Sequence, residues 1–238
     1  MRTRSVLGPD HALITPESHV AAALPGWTAT DGVVLVAPAM GARFTMTLAL
    51  MSGGAEAAPP LPGVERLLYV LEGEVQAGVD HLGPGGYVYV PPDHPHAISA
   101  RRPARALMLE REHLALDGAP PPHPVTGHES HVAPQPLLGD DAVEVRALLP
   151  DVPAFDMAVN TMTFAPGAAL GQVEMHVMEH GLLVLDGRLV YRLGTSWYQI
   201  EGGDAIWMAP FCPQWCCAYG AGPARYLIYK DWNRDPLA

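Results

Sequence analysis

The sequence has few basic residues and a clear excess of acidic ones. Its 238 residues include 14 lysines and arginines against 25 aspartates and glutamates, and the formal net charge is −11. A nucleic-acid-binding protein needs a basic face to neutralise phosphates. The composition therefore argues against nucleic acid as a partner.

Long apolar runs and a disulfide framework are also missing. No run is long enough to span a bilayer, and the first residues lead into no apolar segment typical of a secretion signal. The three cysteines, an odd number within six residues, fit reduced thiols and are Cys212, Cys216 and Cys217. We therefore expect a soluble cytoplasmic protein without a membrane partner, and the role of the three thiols stays open.

Amphipathic helical patterns are absent, whereas proline (25) and glycine (24) interrupt the chain throughout. Many short β-type runs separated by glycine and proline turns predict an all-β sandwich or barrel. The ten runs are 32–37, 44–50, 67–71, 87–90, 106–110, 155–164, 181–185, 189–193, 205–208 and 225–229.

The chain also contains an internal repeat. The segment 67–73 parallels 181–187, and each is followed at a similar distance by a glycine pair and another β-type run. A proline-rich stretch without periodicity separates the two halves. We therefore predict two tandem β-barrel domains, at residues 1–118 and 137–238, joined by a linker at 119–136.

The highest density of metal-capable side chains lies between Glu174 and Gly181. Glu174, His176 and His180 have the same parity, so on an extended strand all three would point to one face. Glu179 has the opposite parity and is predicted to be solvated or to support a ligand. The alternative is a polar patch on a strand edge that binds nothing.

These segments resemble the two motifs of the cupin superfamily, a glycine-led His-x-His, Glu and Gly followed by Gly-x5-Pro-x-Gly-x2-His. The second half keeps the ligand spacing with Glu and His exchanged, and Gln214 stands at the place of the last histidine. In the first half, one motif histidine remains, His96, and Pro60, Pro62 and Arg66 occupy the other ligand positions. The resemblance implies a bicupin whose N-terminal barrel is structural and metal-free.

The exchanged ligand order, together with the run from Tyr226 to Asp235, resembles the bicupin (S)-ureidoglycine aminohydrolases of purine and allantoin catabolism. This resemblance implies a manganese enzyme that converts (S)-2-ureidoglycine to (S)-ureidoglycolate and ammonia. The implied metal ligands are Glu174, His176, His180 and Gln214. The implied substrate-binding residues are Tyr191, Tyr226, Lys230 and Glu174, of which Glu174 and Lys230 are also candidate catalytic residues.

The donor chemistry agrees with that implication. Two imidazoles, a carboxylate and an amide oxygen, with no thiolate, suit Mn²⁺ or Fe²⁺ better than a closed structural zinc site. Ni²⁺ and Zn²⁺ are further alternatives. Lys230 is a candidate for binding a substrate carboxylate or protonating departing ammonia, and Glu174 is a candidate base.

Two other functions remain open at this point. A metal site with N and O ligands and open positions also suits a cupin dioxygenase. A non-catalytic bicupin that binds a metabolite is the third hypothesis, because the fold alone does not select a chemistry. For each, we expect association into a homo-oligomer through sheet edges.

Overall fold

The computed structural model describes residues 3–234. Its strands in chain order are β1 (Val6–Leu7), β2 (His11–Ile14), β3 (Ala21–Ala23), β4 (Thr28–Val36), β5 (Thr45–Glu56), β6 (Val64–Glu72), β7 (Val75–Ala77), β8 (Asp80–Leu82), β9 (Gly86–Val90), β10 (Ile98–Ala100), β11 (Ala104–Glu112), β12 (Val125–His128), β13 (Gln135–Leu137), β14 (Asp140–Ala147), β15 (Met157–Phe164), β16 (His180–Asp186), β17 (Arg188–Leu193), β18 (Ser196–Glu201), β19 (Ala205–Met208), β20 (Gln214–Ala218) and β21 (Ala224–Asp231). The helices within the described part are 3-10 turns at Pro16–Ser18, Pro38–Met40 and Glu129–His131.

The fold is all-β, as predicted, and each of the ten β-type runs lies within or overlaps a strand. Every strand pairing is antiparallel. Among residues 3–234, no helix has the length and apolarity needed to cross a membrane.

The described residues form two compact units. The N-terminal unit comprises residues 19–131, and the C-terminal unit comprises residues 132–234 together with residues 3–18. The sequence-based division placed the first eighteen residues with the N-terminal half, whereas β1 pairs with β2, and β2 pairs with β19 of the C-terminal unit. The segment predicted as a linker contains β12, which pairs with β9, and the start of β13.

The N-terminal unit is built on a single ten-stranded sheet. Its main path runs β12-β9-β6-β11-β5-β10-β7-β8, and β4 pairs with β5 on one side and with β3 on the other. Strands β6 and β9 are buried along nearly their whole length, so both of their faces are covered. The core of this unit is an aliphatic cluster that includes Leu68, Val70, Val88 and Ile98.

The C-terminal unit has an eight-stranded sheet, ordered β1-β2-β19-β16-β21-β15-β14-β13, and a three-stranded sheet, ordered β18-β17-β20. Leu182 and Ile206 of the larger sheet share one core cluster with Leu189 and Ile200 of the smaller sheet. The core therefore lies between the two sheets. The aromatic members Tyr191, Phe164 and Tyr226 join the same cluster.

The strand order repeats between the two units. In one, β6 lies between β9 and β11, and β11 pairs with β5; in the other, β16 lies between β19 and β21, and β21 pairs with β15. The three-strand group β8-β7-β10 corresponds in the same way to β18-β17-β20. The internal repeat that the sequence indicates is therefore a repeat of topology.

Backbone geometry repeats at the motif positions too. Gly73 and Gly187, which end the paired segments, have φ of 75° and 77°. A Cβ atom on either glycine would lie 2.5 Å from a proline carbonyl oxygen, of Pro103 or Pro223 respectively. Only glycine tolerates both the dihedral angle and the close approach, which explains its presence at the same place in each half.

Candidate metal centre

The segment from Glu174 to His180 is not one continuous strand, so that part of the prediction is wrong. Glu174 forms an isolated bridge with Gln214, and their backbone amides and carbonyls exchange hydrogen bonds of 2.8 and 2.9 Å. Residues 175–179 lie outside strands, and His180 begins β16, opposite Met208 and Lys230. The chain crosses from the smaller sheet to the larger one here, because each sheet pairs with a different end of the segment.

The side chains nevertheless come together in one cavity of the C-terminal unit. The cavity has a volume of about 550 Å³ and lies at the end of the core between the two sheets. Its lining includes all seven residues for which a site role was predicted: Glu174, His176, His180, Tyr191, Gln214, Tyr226 and Lys230.

The two histidines and the carboxylate lie close together at the cavity wall. His176 Nε2 is 3.1 Å from a carboxylate oxygen of Glu174, and the imidazole centroids of His176 and His180 are 5.3 Å apart. Glu174 and His176 are partly exposed, whereas His180 is buried. A metal ion bound between Glu174 and His176 would therefore keep coordination positions on one side that solvent or substrate can reach.

The state of His180 suits a metal ligand. Its Nδ1 lies 2.8 Å from the backbone carbonyl oxygen of Glu179, and because a carbonyl only accepts, Nδ1 must carry the proton. Burial, together with the charges of His176 and Lys230, lowers the pKa of His180 to about 3. The imidazole is therefore neutral near pH 7, with Nε2 free of a proton as metal coordination requires.

Gln214 is oriented by Tyr191. The fully buried Tyr191 hydroxyl donates a hydrogen bond of 3.0 Å to Gln214 Oε1. Burial raises the pKa of Tyr191 well above its usual value, so the phenol stays protonated and remains a donor. One lone pair of the amide oxygen is thereby occupied and the other remains for a metal.

Lys230 also lines the cavity and lies on β21, beside His180 of β16. Its ammonium group is 4.7 Å from the centroid of the Trp232 ring, and Trp232 Nε1 donates a hydrogen bond of 2.7 Å to an Asp151 carboxylate oxygen. Burial lowers the pKa of Lys230, and the carboxylates of Glu174 and Asp151 oppose this shift. Sequence reasoning missed Trp232 and Asp151; the position of Trp232, two residues after Lys230, was the available signal.

Comparisons with known proteins identify the family of this chain. No family model matches the chain. Three curated relatives are named as (S)-ureidoglycine aminohydrolases: the probable enzyme of Oryza sativa subsp. japonica (45% identical, 99% of this chain and 77% of that protein), and those of Arabidopsis thaliana (43%, 99% and 80%) and Escherichia coli K12 (33%, 94% and 89%). This chain belongs to the (S)-ureidoglycine aminohydrolase family.

Several solved structures have the same fold as this chain. The putative glyoxylate-induced protein of Pseudomonas aeruginosa superposes with a TM-score of 0.89 at 30% identity, covering 98% of this chain and 92% of that one. The E. coli protein YlbA superposes with a TM-score of 0.86 at 29% identity, covering 98% and 96%. Oxalate decarboxylase of Bacillus subtilis, whose structure is described with Mn(II) centres, shares the fold alone, with a TM-score of 0.70 at 12% identity, covering 98% and 79%.

In this member of the ureidoglycine aminohydrolase family, the N-terminal unit fills the equivalent place with an ion pair. Arg66 occupies the β6 position that corresponds to His180, and Glu110 the β11 position that corresponds to Lys230, by the matching strand registers. The buried Arg66 guanidinium is 2.7 Å from a Glu110 carboxylate oxygen, and it also donates to the Ala58 carbonyl at 2.7 Å. A cation therefore stands where the other unit offers a ligand.

Two further residues that the sequence singled out are Glu179 and His96. Glu179 points away from the cavity, but its side chain is buried rather than solvated and accepts a hydrogen bond of 3.3 Å from Trp207 Nε1. Its backbone carbonyl supports the candidate ligand His180, as described above. His96 lies in the turn after β9, half-buried, with its ring centroid 6.3 Å from that of His94.

Proposed function

We propose that the chain hydrolyses (S)-2-ureidoglycine to (S)-ureidoglycolate and ammonia, using Mn²⁺ bound by Glu174, His176, His180 and Gln214. Water supplies the hydroxyl group that replaces the amino group, and ammonia carries away the leaving nitrogen. The observation that carries the proposal is the cavity of the C-terminal unit, which gathers two imidazoles, a carboxylate and an amide with two tyrosines and a lysine. The proposed substrate is inferred from the names of the relatives in this family.

The donor set fits the proposed metal. It contains nitrogen and oxygen atoms and no thiolate, and the unprotonated Nε2 of His180 and the oriented Oε1 of Gln214 are already prepared for coordination. A divalent ion bound there would supply positive charge that positions the substrate and polarises groups at the reacting carbon. The structural likeness to a protein with Mn(II) centres is compatible with manganese.

The remaining roles fall to residues on the walls of the cavity. The Lys230 ammonium, stacked on Trp232, faces the Glu174 side and would bind the substrate carboxylate or donate a proton to the departing amine. The hydroxyls of Tyr191 and Tyr226 line the same space and would contact the substrate, that of Tyr191 while it donates its proton to Gln214. Glu174 is placed to accept a proton from the incoming water when its carboxylate is available.

We further propose that the two units are tandem cupin barrels, a metal-free structural one and a catalytic one. The sequence predicted boundaries at 1–118, 119–136 and 137–238, whereas residues 3–18 belong to the C-terminal unit. The repeated topology supports the pair of barrels, and the Arg66–Glu110 ion pair supports a metal-free N-terminal unit. Assembly into a homo-oligomer and a cytoplasmic location remain predictions from the sequence.

The test uses freshly prepared ureidoglycine and ammonia detection under anaerobic conditions. We expect enantiospecific ammonia release that stops on chelation and returns with Mn²⁺, because the site requires its metal but not oxygen. His176→Ala should abolish this release, whereas His128→Ala, a histidine of the N-terminal unit, should retain it. Release equal to spontaneous decay of the substrate would refute the proposal, and turnover that required oxygen would favour the dioxygenase.

A further inference from the structure

A second group of metal-capable side chains lies in the C-terminal unit, outside the cavity described above. A carboxylate oxygen of Asp10, a ring nitrogen of His11 and the sulfur of Cys212 all lie within 4.8 Å of one another. Asp10 and His11 stand at the start of β2, and Cys212 lies in the loop between β19 and β20. None of the three lines the cavity of the proposed metal centre.

The three side chains provide the donor types that zinc prefers. Sulfur, imidazole nitrogen and carboxylate oxygen are the usual zinc ligands in proteins, and three protein ligands with a water in the fourth position form a common site. His11 and Cys212 are buried, whereas the Asp10 side chain is 43% exposed. Asp10 therefore marks the side from which a metal ion and its water would enter.

The second nitrogen of His11 has the partner that a ligating histidine needs. His11 Nδ1 is 2.8 Å from the Asp10 carboxylate, and Nε2 is 2.8 Å from the Tyr198 hydroxyl. Metal-bound histidines almost always donate the proton of their other ring nitrogen to such a group, which holds the imidazole in orientation. A metal at Nδ1 would move the proton to Nε2, where the Tyr198 oxygen accepts it.

Gly194 and Gly8 lie next to the donors Asp10 and His11, and neither has a side chain that would occupy the space beside them. A Cβ atom at Gly194 would lie 3.3 Å from an Asp10 carboxylate oxygen, and one at Gly8 would lie 3.5 Å from His11 Nδ1. Both positions leave little room, so a residue larger than alanine would displace a donor. The Cys212 thiol has a hydrogen bond to the Pro213 carbonyl at 3.8 Å, which is too weak to hold it away from a metal ion.

We propose that Asp10, His11 and Cys212 bind a zinc-type divalent cation at a site separate from the catalytic metal. The bound ion would tie the start of β2 to the loop 209–213, which already contacts β2 through the Ala209 amide and the Asp10 carbonyl at 2.9 Å. That loop leads directly into Gln214, and its Phe211 amide donates a hydrogen bond of 2.6 Å to the His176 carbonyl. A metal ion at this site would therefore fix the loop 209–213, which leads into the proposed ligand Gln214 and contacts the proposed ligand His176.

The test uses Co²⁺ as the probe, because a thiolate bound to cobalt gives a charge-transfer absorption in the near ultraviolet. Purified full-length protein is stripped with a chelator under reducing conditions and titrated with Co²⁺, and bound cobalt is measured by elemental analysis. We expect the absorption in the unaltered protein. The proposed catalytic ligands contain no thiolate, so this signal reports on the second site whether or not the enzyme acts on ureidoglycine.

Four variants test the second site and separate it from the first. Cys212→Ser should lose the absorption and one equivalent of cobalt, whereas His180→Ala should lose one equivalent and keep the absorption. Cys217→Ser, which changes a neighbouring and partly exposed thiol, should keep both. Asp10→Asn, at a partly exposed position, should weaken cobalt binding at the thiol site at least tenfold, and circular dichroism checks its folding. Absence of the absorption in the unaltered protein, or its survival in Cys212→Ser, would overturn the proposal.

Discussion

At the scale of single residues, hydrogen bonds set the state of the proposed ligands. The Glu179 carbonyl selects the His180 tautomer, and the Tyr191 hydroxyl orients the Gln214 amide. Neither partner needs to touch the metal to control how well it binds, because a ligand held in the correct orientation loses less entropy on coordination. Removal of such partners should therefore affect metal binding, whereas removal of Lys230 should affect turnover.

Lys230→Met should lower kcat by about 100-fold or more, since a positioned proton donor contributes at least that much. The metal content should stay unchanged, because the ammonium group is not a donor to the metal. Turnover measured beside elemental analysis tests this separation. His176→Ala is the reference, for which both quantities should fall, and equal losses in Lys230→Met would contradict the assigned roles.

Tyr191→Phe should weaken metal binding by roughly 10- to 100-fold, which is typical for loss of a partner that orients a ligand. The substitution removes the hydroxyl that donates to Gln214 and retains the buried ring. Tyr226→Phe is the matched control, because the Tyr226 hydroxyl interacts with the Cys216 thiol instead. Metal titration by calorimetry compares the variants, and equal affinities would show that Gln214 does not depend on Tyr191.

At the scale of elements, each unit depends on a glycine that ends the central strand. Gly187 follows β16 with a φ of 77°, and its Cα faces the residues that begin β21. The geometry recurs at Gly73 beside β11. Because β16 carries His180 and β21 carries Lys230, this turn also sets the register between a proposed ligand and a proposed catalytic residue.

Gly187→Ala should destabilise the protein by about 3 kcal/mol, from backbone strain together with overpacking. Its new Cβ would lie 2.5 Å from the Pro223 oxygen and 2.6 Å from the Ala224 Cα. Gly139→Ala is the control: Gly139 has a φ of 88°, but no atom lies within 4 Å of the place its new methyl group would take, and strain alone costs about 1 kcal/mol. Urea denaturation followed by tryptophan fluorescence measures both, and equal losses would rule out the close approach as the cause.

At the scale of the whole molecule, the first strands complete the C-terminal sheet. β2 pairs with β19, and the Arg4 guanidinium donates hydrogen bonds of 2.8 and 2.9 Å to the buried Asp204 carboxylate just before β19. Asp204 also accepts from the Glu201 amide at 3.0 Å. Residues about 200 positions apart in sequence are therefore joined at one edge of the sheet that carries the proposed site.

Arg4→Met should lower the free energy of unfolding by about 2 kcal/mol, because it leaves a buried carboxylate with too few donors. Arg105→Met is the control, since Arg105 pairs at 2.8 Å with Glu72 at the surface, where such pairs contribute less than about 1 kcal/mol. Chemical denaturation of the two variants supplies the comparison. A larger loss for Arg105→Met would mean that the N-terminal segment does not anchor the sheet.

Much of the fold was accessible from local patterns. Apolar runs such as 181–185 and 205–208 predicted strands because a strand buried on both faces has a short, continuous apolar sequence. Shorter or more polar strands, including β14, β18 and β20, were missed, since their stability depends on the partners beside them. The equal parity of Glu174, His176 and His180 predicted that these side chains lie together, and all three line the cavity. They are brought together by the Glu174–Gln214 bridge and the loop 175–179 and not by one strand.

The sequence by itself determined the all-β class, the internal repeat, the family and seven of the side chains that line the cavity. Each of these depends on residue types and spacings that can be compared along the chain without knowledge of its folded contacts. Tertiary structure alone decided that β2 joins β19, that Trp232 and Asp151 hold Lys230, and that Asp10 and His11 meet Cys212. Those contacts depend on which edges and loops the closed sheets bring together, and pairing between distant strands leaves no local signal.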